Sequence, residues 1–273
     1  MGIFGEELKR MWRTIGLYIS LLVGCVIVIM HWVQYVLPYA KTINTNPDYS
    51  RGMIVYPVNA FTNWIGGTDT MYSKLLFLLL PMLVTLPYAV SFYQDCKNGY
   101  INYVCTRTSQ KSYFQAKFLA VFLSGGIVSV IPLLLNFILS ATVMPCIKVE
   151  AAAGAGFVLP KSSFSKIFFQ HPFLFNLICL VMVFVFAGTL AVFALATTFY
   201  SKYIYTPMLF PFILCLVIMA FADLIQHYEW QPMNFLSPAY SSPRLVSFFV
   251  TTGILLFISW WEFLFRGKKQ DVL

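Results

Sequence analysis

Six long apolar stretches constrain this chain more than any other feature of its sequence. An α-helix needs about 20 apolar residues to cross the hydrocarbon core of a bilayer. The six stretches are close to this length and cover residues 15–37, 75–92, 118–141, 173–198, 204–221 and 245–265. Only 10% of the residues are charged, against roughly 25% in a soluble domain. We therefore expect an all-α polytopic membrane protein whose residues 1–273 form a single transmembrane domain.

The basic residues indicate on which side of the membrane the termini lie. The chain has a formal net charge of +8, and eleven of its 18 Lys and Arg residues lie in the termini and in the loops after the second and fourth spans. Cytoplasmic loops carry an excess of Lys and Arg. We therefore expect both termini in the cytoplasm. The positive charge follows from this topology and does not indicate a nucleic-acid partner.

Residues 1–14 are too polar to cross a membrane, yet their pattern is helical. Phe4, Leu8, Met11 and Ile15 recur at helical spacing, and charged residues fill the other positions. This amphipathic pattern predicts an N-terminal helix that lies along the inner membrane interface. A short charged anchor with no further role is the alternative.

The segment between the fifth and sixth spans is more apolar than an aqueous loop requires. Residues 222–243 carry charges, but they also contain several large apolar side chains. We expect short outer helices that dip back into the membrane from this segment. The other outer connections contain the breakers Asn46-Pro47 and Gly66-Gly67 and the small-residue run 151–156.

The spans hold few ionisable residues. Glu262 lies about one turn from the inner end of the last span, and its i,i+4 spacing to Arg266 favours a local ion pair. His31 lies toward the outer end of the first span, where we expect it at the interface. Ion-coupled carriers usually use intramembrane carboxylates, histidines or arginines. This argues against an ion-coupled secondary transporter, although sodium sites built from carbonyls and hydroxyls keep that alternative open.

The motifs of several enzyme classes are absent from the sequence. It contains no H-E-x-x-H, no G-x-S-x-G and no G-x-x-x-x-G-K-[ST], so it cannot hydrolyse a nucleotide through the last of these. Glu6-Glu7 resembles the paired glutamates of CAAX-type intramembrane proteases, but the pair precedes the first span, and Met11 stands where their arginine would be. We expect no enzymatic activity, and no cofactor or metal bound by this chain itself.

The loop between the second and third spans is the longest polar interruption on the cytoplasmic side. Residues 95–117 are rich in tyrosine and carry Lys97, Arg107, Lys111 and Lys117. A helix with exposed tyrosines offers rigid apolar area to a protein groove, and its basic residues can pair with acidic groove edges. A basic loop that only fixes topology is the alternative.

The order of these features resembles the permease subunits of ABC-2 type transporters. Their loop carries an acidic residue, a glycine, a threonine–proline–x–serine–arginine-like turn and a Gly/Ala-Lys pair. The matching positions here are Asp95, Gly99, Tyr100-Ile101, Arg107, Ser109 and Ala116-Lys117, followed later by Leu236-Ser237-Pro238, Phe265-Arg266 and Asp271-Val272. The family's proline is absent from the turn, and the arginine stands in a displaced register.

The resemblance implies a bacterial exporter with an ABCG-like fold in the cytoplasmic membrane. Two permeases, either two copies or two paralogues, would pair and bind two separate ATPase subunits, which bind the ATP and magnesium. The loop after the second span would be the coupling helix that contacts the ATPase. Its contact residues would be Asp95, Gly99, Tyr100, Tyr103, Arg107 and Lys111.

The resemblance also implies a pathway and a cargo. The second and fifth spans of the family line the route, which makes Thr85, Tyr88, Tyr205, Met208 and Phe212 the candidate lining residues. Tyr228, Trp230 and Phe235 would form an outer gate. A route poor in charge suits an amphipathic or hydrophobic cargo, and such systems often export antimicrobial or cytolytic peptides. A membrane scaffold or sensor that does not transport is the alternative from another class.

Overall fold

The computed structural model describes residues 2–45, 59–148, 164–201, 203–237 and 245–269. Within these ranges the chain is helical and has no β-strand. The helices are, in chain order, α1 (Ile3–Trp12), α2 (Ile15–His31), α3 (Leu37–Thr45), α4 (Ala60–Asn63), α5 (Met71–Thr85), α6 (Ser91–Lys97), α7 (Tyr100–Cys105), α8 (Gln110–Val143), α9 (Ser165–Gln170), α10 (Pro172–Thr197), α11 (Tyr205–Leu224), α12 (Pro232–Leu236) and α13 (Leu245–Lys269).

Some predicted features fall outside these ranges. They are Asn46-Pro47, the run 151–156, Pro238 and Asp271-Val272. The side chain of Arg266, the expected partner of Glu262, also lies outside the part of the chain that the structure describes.

Five of the described helical segments are long and apolar enough to cross a membrane. They are Ile15–Lys41, which includes a π-helical turn, Gln110–Val143, Pro172–Tyr200, Tyr205–Leu224 and Leu245–Phe263. A shorter apolar helix, α5, covers Met71–Thr85. The prediction of an all-α polytopic membrane protein is confirmed.

Helix α5 is shorter than the predicted second span for local reasons. Thr70 caps its first turn, since its side chain accepts a hydrogen bond from the Ser73 backbone N–H at 3.3 Å. The helix ends at Thr85, two residues before Pro87, and the chain passes through a turn over residues 86–90 into α6. Pro87 has no backbone N–H and cannot donate the next helical hydrogen bond to the Leu83 carbonyl oxygen, which accounts for this end.

Helix α10 forms the centre of the bundle. It packs against α5, α8, α11 and α13, and most of its side chains are buried. Small residues let α8 and α10 approach closely: a Cβ atom at Gly125 would lie 2.7 Å from the Ala191 Cβ and 2.9 Å from the Ala187 carbonyl oxygen. This contact sets the spacing of the two most buried spans.

The bundle has two distinct ends, which we call the α1 end and the far end. At the α1 end the rings of Phe92, Phe114 and Phe263 join α6, α8 and α13, with centroids 5.1 Å apart for Phe92–Phe263 and for Phe114–Phe263. At the far end, Ser237 Oγ donates to the Gly66 carbonyl oxygen at 3.2 Å. Met11 of α1 belongs to the same buried apolar cluster as Phe263, so the N-terminal helix and the C-terminal part of α13 lie at the same end.

The expectation that His31 lies at the interface is wrong. Its side chain is fully buried, with Nδ1 3.2 Å from Asn136 Nδ2 and Nε2 3.3 Å from Thr68 Oγ1. Asn136 also donates to the Val28 carbonyl oxygen at 3.0 Å and accepts from the Ile65 N–H at 2.7 Å. These partners come from other parts of the chain and cover a ring that the span alone would expose.

We predict that Gly125→Val destabilises the bundle, because the added methyl groups meet the Ala187 backbone and cannot be accommodated by a rotamer change. Overpacking of this kind costs about 1–3 kcal/mol of unfolding free energy. Thermal unfolding in detergent measures the effect. Gly253→Val, in an exposed part of α13 with no atom within 4 Å of the added Cβ, is the matched control and should change stability little. Equal stability of the two variants would contradict the close α8–α10 contact.

Candidate functional site

Four charged side chains from three helices meet at the α1 end and form what we call the ionic cluster. They are Glu7 and Arg10 of α1, Asp95 of α6 and Lys117 of α8. Lys117 Nζ lies 2.7 Å from Asp95 Oδ2 and 3.2 Å from Glu7 Oε2. Arg10 lies 2.6 Å from Asp95 Oδ1 and 3.0 Å from Glu7 Oε1 through its two terminal nitrogens. Each cation thus contacts both carboxylates.

Aromatic side chains surround the cluster and complete its hydrogen bonds. Tyr88 OH donates to Glu7 Oε2 at 2.6 Å, and Tyr113 OH donates to Asp95 Oδ2 at 3.0 Å. Lys117 Nζ lies 4.1 Å from the centre of the Tyr88 ring, a distance at which a cation is attracted to the face of the ring. Tyr88 therefore contacts both a carboxylate and a cation, whereas Tyr113 contacts a carboxylate.

Burial makes the balance of charge in this cluster important. Lys117 is 0% exposed, Glu7 1% and Asp95 3%. Isolated buried charges are costly, and they persist when they are paired and hydrogen-bonded. The cluster holds two carboxylates and two basic groups, so each buried acidic group has basic partners at the base of the bundle.

The pKa shifts of Asp95 and Arg10, the two members of the cluster that lie outside the spans, agree with this pairing. Burial raises the pKa of Asp95, but the positive charge of Lys117 and the hydrogen bond from Arg10 outweigh it, and the pKa falls below its usual value. Burial also acts to lower the pKa of Arg10, but the hydrogen bond and charge of Asp95 outweigh it and raise the pKa. Both groups are held in their charged forms.

Local sequence places each member of the cluster. Glu7 and Arg10 are spaced i,i+3, and Tyr113 and Lys117 are spaced i,i+4, so each pair shares one helix face. Asp95 precedes the break between α6 and α7, where Gly99 has a φ of +67°. Glycine adopts this left-handed conformation without steric cost, so it allows the sharp change of direction after Asp95.

Beyond the cluster, the chain presents an exposed basic surface. It consists of Lys97, Tyr103, Arg107 and Lys111, all exposed. Tyr103 is 57% exposed, and Arg107 Cζ lies 4.7 Å from the centre of its ring. Ile101, on the opposite side of α7, is only 5% exposed and holds the helix against the bundle. We call Lys97, Tyr103, Arg107 and Lys111 together the basic surface.

The residues expected to contact an ATPase divide between this surface and the interior. Gly99, Tyr103, Arg107 and Lys111 are exposed. Asp95 is buried in the ionic cluster. Tyr100 is half-buried, with its ring 4.1 Å from Arg10 Cζ. Asp95 therefore lies beneath the basic surface, in the buried part of the protein.

The residues expected to line a pathway differ widely in their exposure. Thr85 is fully buried, and its Oγ1 lies 3.2 Å from the Met208 carbonyl oxygen, which joins α5 to α11. Tyr88 is 2% exposed and contacts the ionic cluster, whereas Tyr205 is 70% exposed. Met208 and Phe212 are half-buried.

The residues expected to form an outer gate lie at the far end. Tyr228 is exposed and Trp230 half-buried, both in a single 3₁₀ turn. Phe235 of α12 is 1% exposed and packs with ring centroids 5.2 Å from Phe186 and 6.1 Å from Phe248. Phe235 thus anchors the segment between α11 and α13 to the core.

Sequence reasoning did not bring Glu7, Arg10, Tyr113 and Lys117 together. Their spacings within α1 and α8 were visible, as was the lysine at the edge of the apolar run 118–141. A buried acid and a buried base on separate helices carry no local signal that they are partners. Only the packing of α1 against α8 brings them together.

The part of the chain that the structure describes contains no group of three or more His, Cys, Asp or Glu side chains that could hold a metal ion. Comparison with family models, with curated proteins and with solved structures gives no match for this chain. The resemblance to ABC-2 permeases therefore rests on the residues themselves.

We predict that Lys117→Met strongly destabilises the protein, since Glu7 and Asp95 would share Arg10 as their only cationic partner in the cluster. Breaking a buried ion pair by removing one partner costs about 3–5 kcal/mol. Unfolding in detergent measures the loss. Lys111→Met, an exposed lysine of the same helix, should leave stability within about 0.5 kcal/mol. Equal stability of Lys117→Met and Lys111→Met would show that the ionic cluster does not stabilise the protein.

The cluster also predicts a dependence of stability on pH. Because the pKa of Asp95 is lowered by folding, its contribution is present above its unfolded value of about 3.9 and is lost as the pH falls through the folded pKa. We expect acid titration of the detergent-solubilised protein to reveal this loss below about pH 4. Asp95→Asn should be less stable at pH 7 and should lack this part of the acid dependence. An unchanged acid profile in Asp95→Asn would contradict the assignment.

Proposed function

We propose that this chain is the transmembrane permease subunit of an ATP-driven exporter of the ABC-2 kind. A separate ATPase subunit binds the basic surface and supplies ATP hydrolysis with its own magnesium. The observation that carries the proposal is an exposed basic and aromatic surface fixed by buried ion pairs to helices that enter the membrane.

Charge and exposure favour a protein partner at the basic surface. Aromatic residues and arginine are enriched at protein interfaces, whereas lysine is depleted from their centres. Tyr103 and Arg107, whose guanidinium lies over the tyrosine ring, are residues of the types that are enriched at interfaces. Lys97 and Lys111 at the edge are exposed and suit acidic residues at the rim of a partner's groove.

The ionic cluster supplies the connection between that partner and the membrane. Asp95 lies in the last turn of α6, beneath the basic surface, and contacts Lys117 in α8 and Arg10 in α1. A displacement of α6 and α7 by a partner would therefore act on α8 and α1 together. In this proposal Asp95 and Tyr100 hold the surface in place, and Tyr103, Arg107 and Lys111 touch the ATPase.

The topology in the proposal has six spans, with α5 as the short second span. Helix α1 lies along the cytoplasmic interface, the α1 end faces the cytoplasm, and the segment 228–236 folds back at the outer side. The protein then lies in a bacterial cytoplasmic membrane with both termini inside. Two permeases, identical or paralogous, pair with two ATPase subunits.

The cargo in the proposal is amphipathic or hydrophobic, with antimicrobial or cytolytic peptides as the favoured class. The half-buried Met208, whose carbonyl oxygen contacts Thr85, and the half-buried Phe212 one turn further along α11 are the positions from which an apolar route between α5 and α11 would begin. A polar solute would need polar partners there.

We predict that the protein, extracted from its native membrane into nanodiscs, co-purifies with a stoichiometric subunit carrying G-x-x-x-x-G-K-[ST]. The double substitution Tyr103→Ala with Arg107→Ala should lower the recovered amount of that subunit at least tenfold, because hot-spot truncations cost about 2 kcal/mol or more each. Mass spectrometry identifies and quantifies the subunit. Peptides can then be screened for stimulation of its ATPase activity.

The matched control is Tyr39→Ala with Lys41→Ala, two exposed residues of α3 that should leave recovery unchanged. A permease that purifies alone, or with a partner lacking a nucleotide-binding loop, would contradict the exporter proposal. Retention of the ATPase by the Tyr103/Arg107 variant would contradict the basic surface as its binding site.

A further inference from the structure

The buried ring of His31 lies in a hydrogen-bond network whose donors and acceptors are determined by backbone groups. The Ile65 N–H donates to Asn136 Oδ1 at 2.7 Å, so the oxygen of this side-chain amide faces Ile65. Its nitrogen faces the Val28 carbonyl oxygen at 3.0 Å and His31 Nδ1 at 3.2 Å. A reversed amide would bring two donors together at Ile65. Asn136 Nδ2 is therefore the donor to His31, and His31 Nδ1 is the acceptor.

The other nitrogen of the ring is determined in the same way. Thr68 Oγ1 donates its proton to the Trp64 carbonyl oxygen at 3.2 Å and lies 3.3 Å from His31 Nε2. Nε2 is therefore the donor to Thr68 and carries the proton of the neutral imidazole. Because Nδ1 already accepts from Asn136, the network has no acceptor for a second proton on the ring. We call these contacts of His31, Thr68 and Asn136 the His31 network.

The described surroundings of His31 offer little to compensate a positive charge on the ring. Helix α2 has no other charged residue, α8 has none after Lys117, and residues 59–68 have none. Two tyrosines extend from the ring: Tyr35 stacks on it with centroids 5.7 Å apart, and Tyr72 packs edge-on against Tyr35. The nearest charges along the chain are Asp69 and Lys74, which pair with each other at 3.2 Å. A buried cation without a charged or hydrogen-bonding partner is costly.

The network attaches residues 64–68 to α2 and α8 at the far end. Trp64 is 2% exposed, and its ring packs edge-on against Phe137 of α8 with centroids 5.8 Å apart. Ile65 is fully buried. The Gly66 carbonyl oxygen accepts from Ser237, which follows α12. Loss of the His31 contacts would therefore weaken the attachment of this segment to the bundle.

We propose that the His31 network is a pH-sensitive switch, in which protonation of His31 releases residues 64–68 from α2 and α8. The closed network holds the neutral ring, whereas water can hydrate the charged ring after opening. A histidine in water has a pKa of about 6.5. The open form therefore binds more protons than the closed form below this pH, and acid shifts the equilibrium toward the open form.

This switch goes beyond the proposed function. In the topology proposed above, the far end is the outer side of the membrane, so the switch would respond to the pH outside the cell. The contacts that define it lie within α2, α8 and residues 64–68. Failure of the exporter proposal would leave them unaffected.

Amide hydrogen exchange of the full chain in phosphatidylcholine nanodiscs tests the switch. Exchange is measured at pH 7.5 and pH 5.5, and each rate is divided by the intrinsic rate of an unstructured peptide at that pH. The Ile65 amide is the reporter, because it bonds directly to Asn136. We expect its protection to fall about tenfold between pH 7.5 and pH 5.5, in proportion to protonation of the open ring. Protection of α8 should stay unchanged.

Three kinds of substitution separate titration from simple loss of a contact. His31→Asn keeps an acceptor for Asn136 but cannot be protonated, so the Ile65 amide should lose its pH dependence. Thr68→Val should lower protection at both pH values and keep the tenfold ratio between them. His171→Gln and His227→Gln alter the other two histidines, both exposed, and should behave like the unmodified protein.

Nitrogen-15 NMR of histidine-labelled protein gives a second test that needs no variant at position 31 to fold. The two ring nitrogens of a neutral imidazole are distinct, and we expect a buried ring protonated on Nε2 at pH 7.5. A ring protonated on Nδ1 would overturn the assignment of the network. A doubly protonated His31 at pH 5.5 with full protection of Ile65 would show that the closed form accepts the charge. Equal protection at both pH values, or a pH dependence that persists in His31→Asn, would also overturn the switch.

Discussion

The need to keep buried charge neutral governs the α1 end of this protein. Lys117 is fully buried, and the two carboxylates within its reach are almost as buried. An unpaired charge in such a low-dielectric interior is costly, and pairing with hydrogen bonds offsets that cost. Each ion therefore fixes the positions of the others, and Arg10 closes the set from the partly exposed side.

This constraint links parts of the chain that would otherwise be independent. An N-terminal amphipathic helix could lie anywhere along a membrane surface, and the short helices α6 and α7 bury few large apolar side chains, chiefly Phe92 and Ile101. Through Glu7 and Asp95 both are attached to one lysine at the start of α8. Beside the cluster, the Phe92, Phe114 and Phe263 rings extend the attachment to α13. Buried contacts thus attach the basic surface to α1, α8 and α13, and the proposed coupling requires such an attachment.

The sequence predicted an all-helical membrane protein, because long apolar runs reflect the bilayer as solvent, but of the six expected spans the second is the shorter helix Met71–Thr85. It predicted the exposed part of the basic surface for a similar reason, since Tyr103, Arg107 and Lys111 lie in a polar loop. Polar residues that have distant partners were the difficult part. His31 and Asp95 have unremarkable local surroundings, and only Asn136 and Thr68 in one case, and Arg10 and Lys117 in the other, explain their burial. Phe235 belongs with them, since its place in the core depends on α10 and α13.

Hydrogen exchange of α1 and α6 in nanodiscs tests the central claim most directly. The claim is that Lys117 fixes both helices to the bundle through Glu7 and Asp95. In Lys117→Met, under conditions where the spans remain protected, we expect the amides of α1 and α6 to exchange at least tenfold faster than in the unmodified protein, because local opening becomes less costly. Lys111→Met should leave their exchange unchanged. Equal protection of α1 and α6 in the unmodified protein and in Lys117→Met would show that the ionic cluster does not hold them.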